Sequence, residues 1–275
     1  MNVNVKILVE NTTPVPPFIG EYGFAALVTV DGKQYLFDTG SADAVFKNAQ
    51  YLGLDLSKVD DLIISHGHFD HTGGVVPFLQ MGNPKHIFAH SGVFTPRYVV
   101  AGEFKREIGS LFTAEDVKKF GAALTTVDSF SEIHPNVYLT GAVPRMNDYE
   151  DVGGSFKAEI NGEMVDDELP DDMSMVIDHP DGLIIISGCA HSGIINIIEH
   201  AKKQTQKEKI RAFIGGTHLI MASERRLVKT VEALRSFEIE TIIPCHCTGF
   251  YSAARLYSEL GSKVVKGETA MNFDF

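Results

Sequence analysis

A cluster of metal-binding residue types is the sequence feature that most constrains this chain. His66, His68, Asp70 and His71 fall within six consecutive positions, directly after the apolar run 62–64. A short apolar run bounded by polar residues predicts a buried strand, which places the cluster in the loop at its end. Loops held by a rigid strand can direct several side chains to one point. Because imidazole and carboxylate groups are ligands that borderline divalent ions accept, the cluster predicts a metal site.

Three further apolar segments end in a loop that carries histidine. They precede His191, His218 and His246, and the segment before His66 completes the set. Helical patterns follow the last three loops, at about 194–206, 223–237 and 252–260. Alternation of strands and helices predicts an α/β protein, in which ligand sites gather at one end of the strands. We therefore expect the four loops to meet.

The composition limits the class of partner. The 275 residues include 36 acidic and 24 basic side chains, a formal charge of −12, which argues against nucleic acid and anionic membranes as partners. A small anionic substrate is compatible with this charge, since bound divalent ions would reverse the local sign. The apolar runs are shorter than the ~20 residues of a membrane helix, and the N-terminus lacks a signal-peptide pattern. Three cysteines argue against a disulfide framework, so we expect a cytoplasmic protein, either a monomer or an oligomer.

A weakly patterned segment at about 92–168 interrupts the regular succession of elements. We interpret it as an insertion within a single domain spanning 1–275, one that covers the active site and selects substrate, because such long loops are usually functional. Arg145 is the cation in this segment that we expect to bind a substrate anion through its guanidinium fork. A surface salt bridge is the alternative role of Arg145. His90, which ends a predicted strand before the segment, is expected to be structural.

The pattern His-x-His-x-Asp-His resembles the signature of the metallo-β-lactamase superfamily. The resemblance implies a four-layer αβ/βα sandwich, in which His66 and His68 bind one metal while Asp70 and His71 bind a second. The Phe-Asp-Thr-Gly segment that contains Asp38 is similar to a family segment whose aspartate supports the ligand loop without touching the metal. Helix capping is the alternative role of Asp38.

The remaining ligands depart in part from the family pattern. His246 matches the final histidine, a ligand of the second metal. Where the family has a bridging aspartate this chain has Cys189, and where it has a third histidine for the first metal only Asp171 and Asp172 occur. We assign His191, two residues beyond Cys189, to the first metal. Whether Cys189 or Asp172 bridges or contacts a metal stays open.

The resemblance implies two divalent metal ions as cofactors. One ion is expected to bind His66, His68 and His191, and the other Asp70, His71 and His246. The imidazole-rich set favours zinc, while iron and manganese accept the same ligands.

Two residues are expected to take part in the chemistry. His218 resembles in position the catalytic histidine of tRNA 3′-processing nucleases in this superfamily, which binds no metal, and it could protonate a leaving group. Asp70 would orient the nucleophile as well as bind metal. Cys245 and Cys247 flank His246 on alternate positions of a predicted strand, so we expect them to share a face that His246 does not and to be packing residues.

The order of the motifs resembles one branch of the superfamily, the metal-dependent hydrolases that include archaeal dihydropterin-ribofuranosylaminobenzene phosphate synthases. The motifs of the second half are Gly188-Cys189-x-His191-x-Gly193, Gly215-Gly216-x-His218-Leu219 and His246-Cys247-Thr248-Gly249. The resemblance implies a dinuclear hydrolase in which metal-activated water attacks a phosphoester or another small anionic ester. A pterin-pathway transferase and a non-enzymatic metal-binding protein are the alternatives.

Overall fold

The computed structural model describes residues 1–275, which form two compact units. Unit 1 comprises Met1–Thr126, Ser155–Asp167 and Glu268–Phe275, and unit 2 comprises Val127–Gly154 and Glu168–Gly267. Each unit combines β-sheet with α-helix, so the predicted α/β class is confirmed. The segment 92–168 contributes to both units. Its covering role and the single-domain organisation stay predictions.

The chain contains seventeen β-strands. They are β1 (Val3–Val9), β2 (Ala25–Val30), β3 (Lys33–Phe37), β4 (Asp61–Ile63), β5 (His86–Ala89), β6 (Arg97–Ala101), β7 (Phe104–Glu107), β8 (Ala123–Thr126), β9 (Ser131–His134), β10 (Val137–Leu139), β11 (Phe156–Ile160), β12 (Glu163–Asp166), β13 (Ser174–Ile177), β14 (Leu183–Ser187), β15 (Ile210–Gly216), β16 (Ile239–Cys245) and β17 (Asn272–Asp274).

Seven α-helices and four 3₁₀ turns connect the strands. The helices are α1 (Ala44–Tyr51), α2 (Phe69–Thr72), α3 (Val75–Leu79), α4 (Ala114–Lys119), α5 (Ile194–Thr205), α6 (Glu224–Ser236) and α7 (Phe250–Leu260). The 3₁₀ turns are Leu56–Lys58, Ser91–Phe94, His246–Thr248 and Gly261–Lys263. None of the helices combines the length and the apolar composition that crossing a membrane requires.

The main sheet of unit 1 has seven strands in the order β17-β1-β2-β3-β4-β5-β8. β2 and β3 form a hairpin, and Asp31 and Gly32 turn it with φ angles of +46° and +89°. Positive φ at both turn residues matches the right-handed twist of the flanking strands, which is why Asp-Gly is a strong hairpin signal. The neighbouring strands β3, β4, β5 and β8 are parallel. The first histidine loop follows β4 and therefore lies at the carboxyl ends of these strands.

A second sheet of unit 1 differs from the sequence prediction. Four strands of the weakly patterned segment at about 92–168 form two antiparallel hairpins, β6–β7 and β11–β12, which are joined through β6 and β11 in the order β12-β11-β6-β7. Every residue of β7 and β12 is exposed. A strand without a buried face has no reason to alternate polar and apolar residues, so its sequence carries no strand signal.

The sheet of unit 2 has six strands in the order β16-β15-β14-β13-β10-β9. β14, β15 and β16 are parallel neighbours, with one register irregularity between Leu183 and Ile184, and they are buried almost throughout. Their side chains form a core with those of α5, α6 and α7. Fully buried members of this core include Ile185, Ile197, Phe213, Ile242 and Leu256. Burying one such side chain contributes roughly 1.5–3 kcal/mol, so this core fixes the ends of the three parallel strands firmly.

Candidate metal centre

The first cluster of predicted ligands lies in unit 1, in the loop after β4 and in the short helix α2 that follows it. The loop starts after Ile63, and α2 begins one residue after His68. His66 and His71 are fully buried, and His68 and Asp70 are at most 6% exposed. The structure therefore brings the four side chains of the sequence motif together inside the protein.

Two ring nitrogens of this cluster face each other at the spacing of ligands on one ion. Nε2 of His66 lies 3.0 Å from Nδ1 of His68. Two nitrogens bound tetrahedrally to one zinc ion at about 2 Å are separated by about 3.3 Å. The ring centroid of His71 lies 4.3 Å from that of His66, and Nε2 of His71 lies 4.0 Å from a carboxylate oxygen of Asp70. This donor set fits borderline divalent ions.

Asp38 supports the first cluster through hydrogen bonds with Ser65 and His71. One carboxylate oxygen accepts a hydrogen bond from Nδ1 of His71 at 2.7 Å and one from the Ser65 hydroxyl at 2.7 Å, and the other accepts from the Ser65 backbone N–H at 2.8 Å. Because a carboxylate only accepts hydrogen bonds, Nδ1 of His71 carries the proton and Nε2 carries the lone pair that binds a metal. The residue that precedes α1 is Asp43, so Asp38 does not occupy the capping position.

The glycines of the motif allow the chain to pack closely around the cluster. A Cβ atom added at Gly67 would lie 2.1 Å from the carbonyl oxygen of Val93, and one added at Gly73 would lie 2.0 Å from that of Ser41. Neither position accepts a side chain unless the backbone moves. The repeated glycine around the histidines is therefore a packing requirement.

The second cluster of predicted ligands lies in unit 2, in the loops that follow β14, β15 and β16. It contains His191, His218 and His246, which are at most 9% exposed. His218 and His246 have φ angles of +45° and +47°, and Ala190, which precedes His191, has +57°. Non-glycine residues in the left-handed region are strained by about 1–3 kcal/mol and concentrate at functional sites.

The ring of His191 is held by a backbone carbonyl. Its Nδ1 lies 2.8 Å from the carbonyl oxygen of Val152, so Nδ1 donates and Nε2 carries the lone pair. The ring centroid lies 4.1 Å from that of His218. Asp172 fixes the backbone beyond His191, because one of its carboxylate oxygens accepts the N–H of Ser192 at 2.8 Å. Burial raises the pKa of Asp172 above its usual value, although its hydrogen bonds with Ser192 and with the backbone of His191 lower it.

The loop of residues 147–154, called here the 147–154 loop, lies against the rings of His191 and His218. Glu150 anchors it by accepting the backbone N–H groups of Ile195 and Asn196, both at 2.9 Å, in the first turn of α5. Burial raises the pKa of Glu150, although the same hydrogen bonds lower it. Arg226 of α6, which is fully buried, donates from Nη1 to the carbonyl oxygen and the carboxylate of Asp151 at 3.0 and 2.6 Å. Sequence reasoning missed this loop, because nothing in its residues indicates where they pack.

Contrary to what the sequence pattern predicted, Cys245 and Cys247 do not lie on one strand. β16 ends at Cys245, and Cys247 lies in the 3₁₀ turn that begins at His246, so strand alternation does not relate the two thiols. The sulfur of Cys247 accepts the backbone N–H of His218 at 3.3 Å. Burial raises the pKa of Cys247, but its hydrogen bond with Cys189 and the neighbouring His218 outweigh burial and hold that pKa well below the usual value.

The two other residues singled out from the sequence have identified surroundings. Arg145 donates from Nη2 to the carbonyl oxygen of Glu168 at 2.9 Å and lies 3.7 Å from its carboxylate, while its buried Nη1 makes no hydrogen bond. His90 precedes a 3₁₀ turn, and its Nδ1 accepts the backbone N–H of Gly92 at 3.0 Å. That contact caps the turn.

Comparison with known proteins gives matches along most of the chain. The family model described as the metallo-beta-lactamase superfamily matches residues 19–246. A 7,8-dihydropterin-6-methyl-4-(beta-D-ribofuranosyl)-aminobenzene-5'-phosphate synthase of Methanocaldococcus jannaschii is 31% identical over 269 residues, covering 90% of this chain and 88% of that protein. An uncharacterized protein of the same organism is 33% identical over 257 residues, covering 92% and 93%.

A solved structure extends the comparison to the fold. The crystal structure of Tm1679, a metal-dependent hydrolase of the beta-lactamase superfamily, matches with a TM-score of 0.85 and 29% sequence identity. The match covers 98% of both chains. It confirms the fold that the histidine motif predicted.

Proposed function

The chain belongs to the metallo-beta-lactamase superfamily, and from this premise we propose that it is a hydrolase with two divalent metal ions that acts on a phosphoester or another small anionic ester. The observation that carries the proposal is the pair of facing nitrogens on His66 and His68, 3.0 Å apart inside a buried cluster that also contains a carboxylate. Bound divalent ions, most simply zinc, would activate water and stabilise charge on the leaving group.

We propose the ligands that the family pattern implies. The first ion would bind His66, His68 and His191, and the second Asp70, His71 and His246. Support comes from the two rings whose protonation is fixed. Asp38 holds the proton on Nδ1 of His71, and the carbonyl of Val152 holds it on Nδ1 of His191, so each ring offers Nε2. Metal-binding histidines are usually oriented in this way by a hydrogen bond from the other nitrogen.

The remaining roles belong to three side chains. Asp70 would orient the nucleophile, and His218 would deliver a proton to the leaving group. Arg145 would bind the substrate anion, since its buried Nη1 makes no hydrogen bond and a bidentate contact with phosphate or carboxylate would satisfy it. Asp172 acts on the backbone next to His191, which favours a supporting role over metal contact.

The test combines metal analysis with turnover. Protein purified without chelator should contain close to two zinc ions per chain by elemental analysis, and a screen of phosphoesters, lactones and thioesters should give a substrate. His66→Ala should lose both metal and turnover. His134→Ala is the matched control, because His134 is exposed on β9. A His66→Ala variant that keeps full activity would contradict the proposal, as would protein that binds no metal after reloading.

The second candidate is a transferase of pterin biosynthesis. The similarity to the dihydropterin synthase, 31% identity over 90% of this chain, favours it. Pterin that co-purifies with the protein, or that binds to it in a fluorescence titration, would support this candidate. Metal-loaded protein that turns over neither esters nor pterins would leave a metal-binding role without catalysis.

A further inference from the structure

The outer side of α7 carries aromatic side chains where a polar surface is expected. The helix packs on the core of unit 2 through its buried side, which includes Leu256. Its outer side carries Phe250, Tyr251 and Tyr257, which are 74%, 87% and 61% exposed. The outer side of a surface helix is normally polar, and a group of large exposed apolar side chains marks a place where another molecule binds. The outer side of α7 is therefore a candidate interaction surface.

Two further apolar side chains extend this surface beside the start of α7. Ile220 and Met221, in the turn after β15, are 50% and 78% exposed. The backbone N–H of Ile220 donates to the carbonyl oxygen of Cys247 at 3.1 Å, and a Cβ atom added at Gly249 would lie 2.8 Å from Cγ1 of Ile220. The turn thus lies directly against the chain that enters α7. The five exposed side chains are called here the α7 patch, which consists of Ile220, Met221, Phe250, Tyr251 and Tyr257.

The α7 patch has the area that a stable dimer needs. At about 200 Å² for a residue of this size, its exposed fractions give roughly 700 Å² of accessible surface. The largest apolar patch on a typical monomer is smaller, about 300–600 Å². Two copies of the α7 patch that face each other would bury about 1,400 Å², which falls within the roughly 1,200–2,000 Å² of specific, stable interfaces.

The spacing of the side chains along α7 is self-complementary. Phe250, Ala254 and Tyr257 stand at positions i, i+4 and i+7, so they share one side of the helix. Ala254 is exposed between the two rings. A second α7 that runs antiparallel, related by a two-fold axis near Ala254, would place its rings on either side of this small side chain and receive the same contact in return. Such an exchange of equal contacts is what a two-fold interface requires.

The surroundings of the α7 patch favour a second copy over other partners. Arg255 lies 3.6 Å from a carboxylate oxygen of Glu224 and 3.0 Å from one of Glu259, so charges of both signs border the patch. A mixed border does not repel its own copy, whereas an anionic membrane would call for a basic border. Sites for small molecules are concave, but the α7 patch covers the outer side of a helix.

We propose that the chain forms a two-fold homodimer through the α7 patch, with the two α7 helices antiparallel across an axis near Ala254. Burial of the apolar side chains drives the association, and the charged border sets the orientation. The α7 patch begins two residues beyond His218 and four beyond His246, so the two copies join beside the turns that carry these histidines. The dimer stands apart from the proposed function, because no metal or substrate contact enters the argument for it.

The first test is the molar mass in solution, measured by size-exclusion chromatography with light scattering over a roughly hundredfold range of protein concentration. We expect the parent protein to have the mass of two chains at the upper end of this range, and the double variant Phe250→Glu/Tyr257→Glu to have the mass of one throughout. Phe104→Glu is the matched control, because Phe104 is an aromatic residue of β7 with a similar exposure of 57%, and it should remain a dimer. A double variant that remains a dimer would overturn the proposal.

A disulfide cross-link tests the arrangement of the two helices. The three native cysteines are buried, so Ala254→Cys adds one exposed thiol to the chain. With oxidised glutathione, two such thiols that meet at the axis should form a disulfide between copies, while the glutathione disulfide is reduced to two thiols. Ala101→Cys, at an exposed position of β6, is the control and should give no cross-linked dimer. A dimer of Ala254→Cys that does not cross-link would overturn the antiparallel arrangement.

A parent protein that is monomeric at every concentration would overturn the proposal, and two further measurements would then identify the occupant of the α7 patch. Binding of the monomer to phosphatidylcholine vesicles would identify a lipid surface. A raised KM of the double variant, for an ester found in the substrate screen, would identify a substrate. Zinc content separates this outcome from failure of the proposed function, since a monomer that holds close to two zinc ions would refute the dimer alone.

Discussion

The carbonyl oxygen of Val152 lies 2.8 Å from Nδ1 of His191, and the next residue, Gly153, lies against the ring of His218. One short stretch of backbone thus sets the orientation of two histidines that come from neighbouring strand ends. The stretch belongs to the 147–154 loop, whose own position depends on contacts with α5 and α6. Disturbing these contacts should therefore change the behaviour of both rings, although neither ring is altered.

Gly153→Ala should destabilise the protein more than the backbone conformation alone explains. Gly153 has a φ of +86°, and an added Cβ would lie 1.9 Å from Cδ2 of His218. We expect a loss of about 1 kcal/mol from the left-handed backbone and a further ~1–3 kcal/mol from overpacking. The measurement is the free energy of unfolding in urea. Gly162→Ala is the control, since Gly162 has a φ of +83° and nothing within 4 Å of an added Cβ. Equal losses in the two variants would contradict the contact with His218.

Glu150→Ala should loosen the start of α5. It removes the acceptor of two backbone N–H groups in a buried position, and such unsatisfied groups cost about 1–3 kcal/mol each before relaxation. We expect a total loss of about 2–4 kcal/mol in the free energy of unfolding. Glu199→Ala, in the exposed part of the same helix, should change it by less than ~0.5 kcal/mol. Similar effects of the two substitutions would show that Glu150 does not anchor the loop.

The sequence predicted the parts of the site whose residues are adjacent in the chain. The ligands from His66 to His71 lie together because they fall in one short stretch of loop and the first turn of α2, and no long-range contact has to be known. The strands β14 to β16 were predictable because fully buried strands are continuous apolar runs. Each of their histidines could then be placed at a strand end.

The contacts that orient these histidines could not be predicted in the same way. Glu150 and Ile195 are 45 positions apart, and Val152 and His191 are 39 apart. The acceptor of His191 is a backbone carbonyl, a group that every residue has, so no side chain marks it. The role of Cys247 was likewise hidden, because the sequence pattern extends the strand through Cys247, whereas the strand ends at Cys245 and the following turn is left-handed at His246.

His200 on α5 should make stability fall in mild acid. Burial lowers the pKa of its imidazole below 6.5, helped by the nearby Lys203 and opposed by a hydrogen bond with the backbone of Thr140. Between the lowered pKa and about 6.5 the unfolded chain binds more protons than the folded one, so stability decreases as the pH falls through this window and is fully present above it. His200→Gln should flatten this part of the curve of unfolding free energy against pH. The control variant His134→Gln, on an exposed position of β9, should leave the curve as it is. If the curve of His200→Gln runs parallel to that of the parent protein, His200 is not the cause of the fall in stability.

Asp38→Asn should weaken metal binding while the protein stays folded. Asparagine tolerates the left-handed backbone at this position, where φ is +56°, and its carbonyl can still accept the N–H of Ser65. Its amide group, however, would place a donor against Nδ1 of His71, which favours the tautomer with the proton on Nε2 and removes the lone pair that binds metal. We expect zinc affinity to fall roughly 10–100-fold, measured by competition with a chromophoric chelator. Asp31→Asn is the control, because Asp31 has a similar φ of +46° but lies in the β2–β3 hairpin turn, and its affinity should equal that of the parent. If Asp38→Asn also binds zinc like the parent, the proton on His71 is set by something other than Asp38.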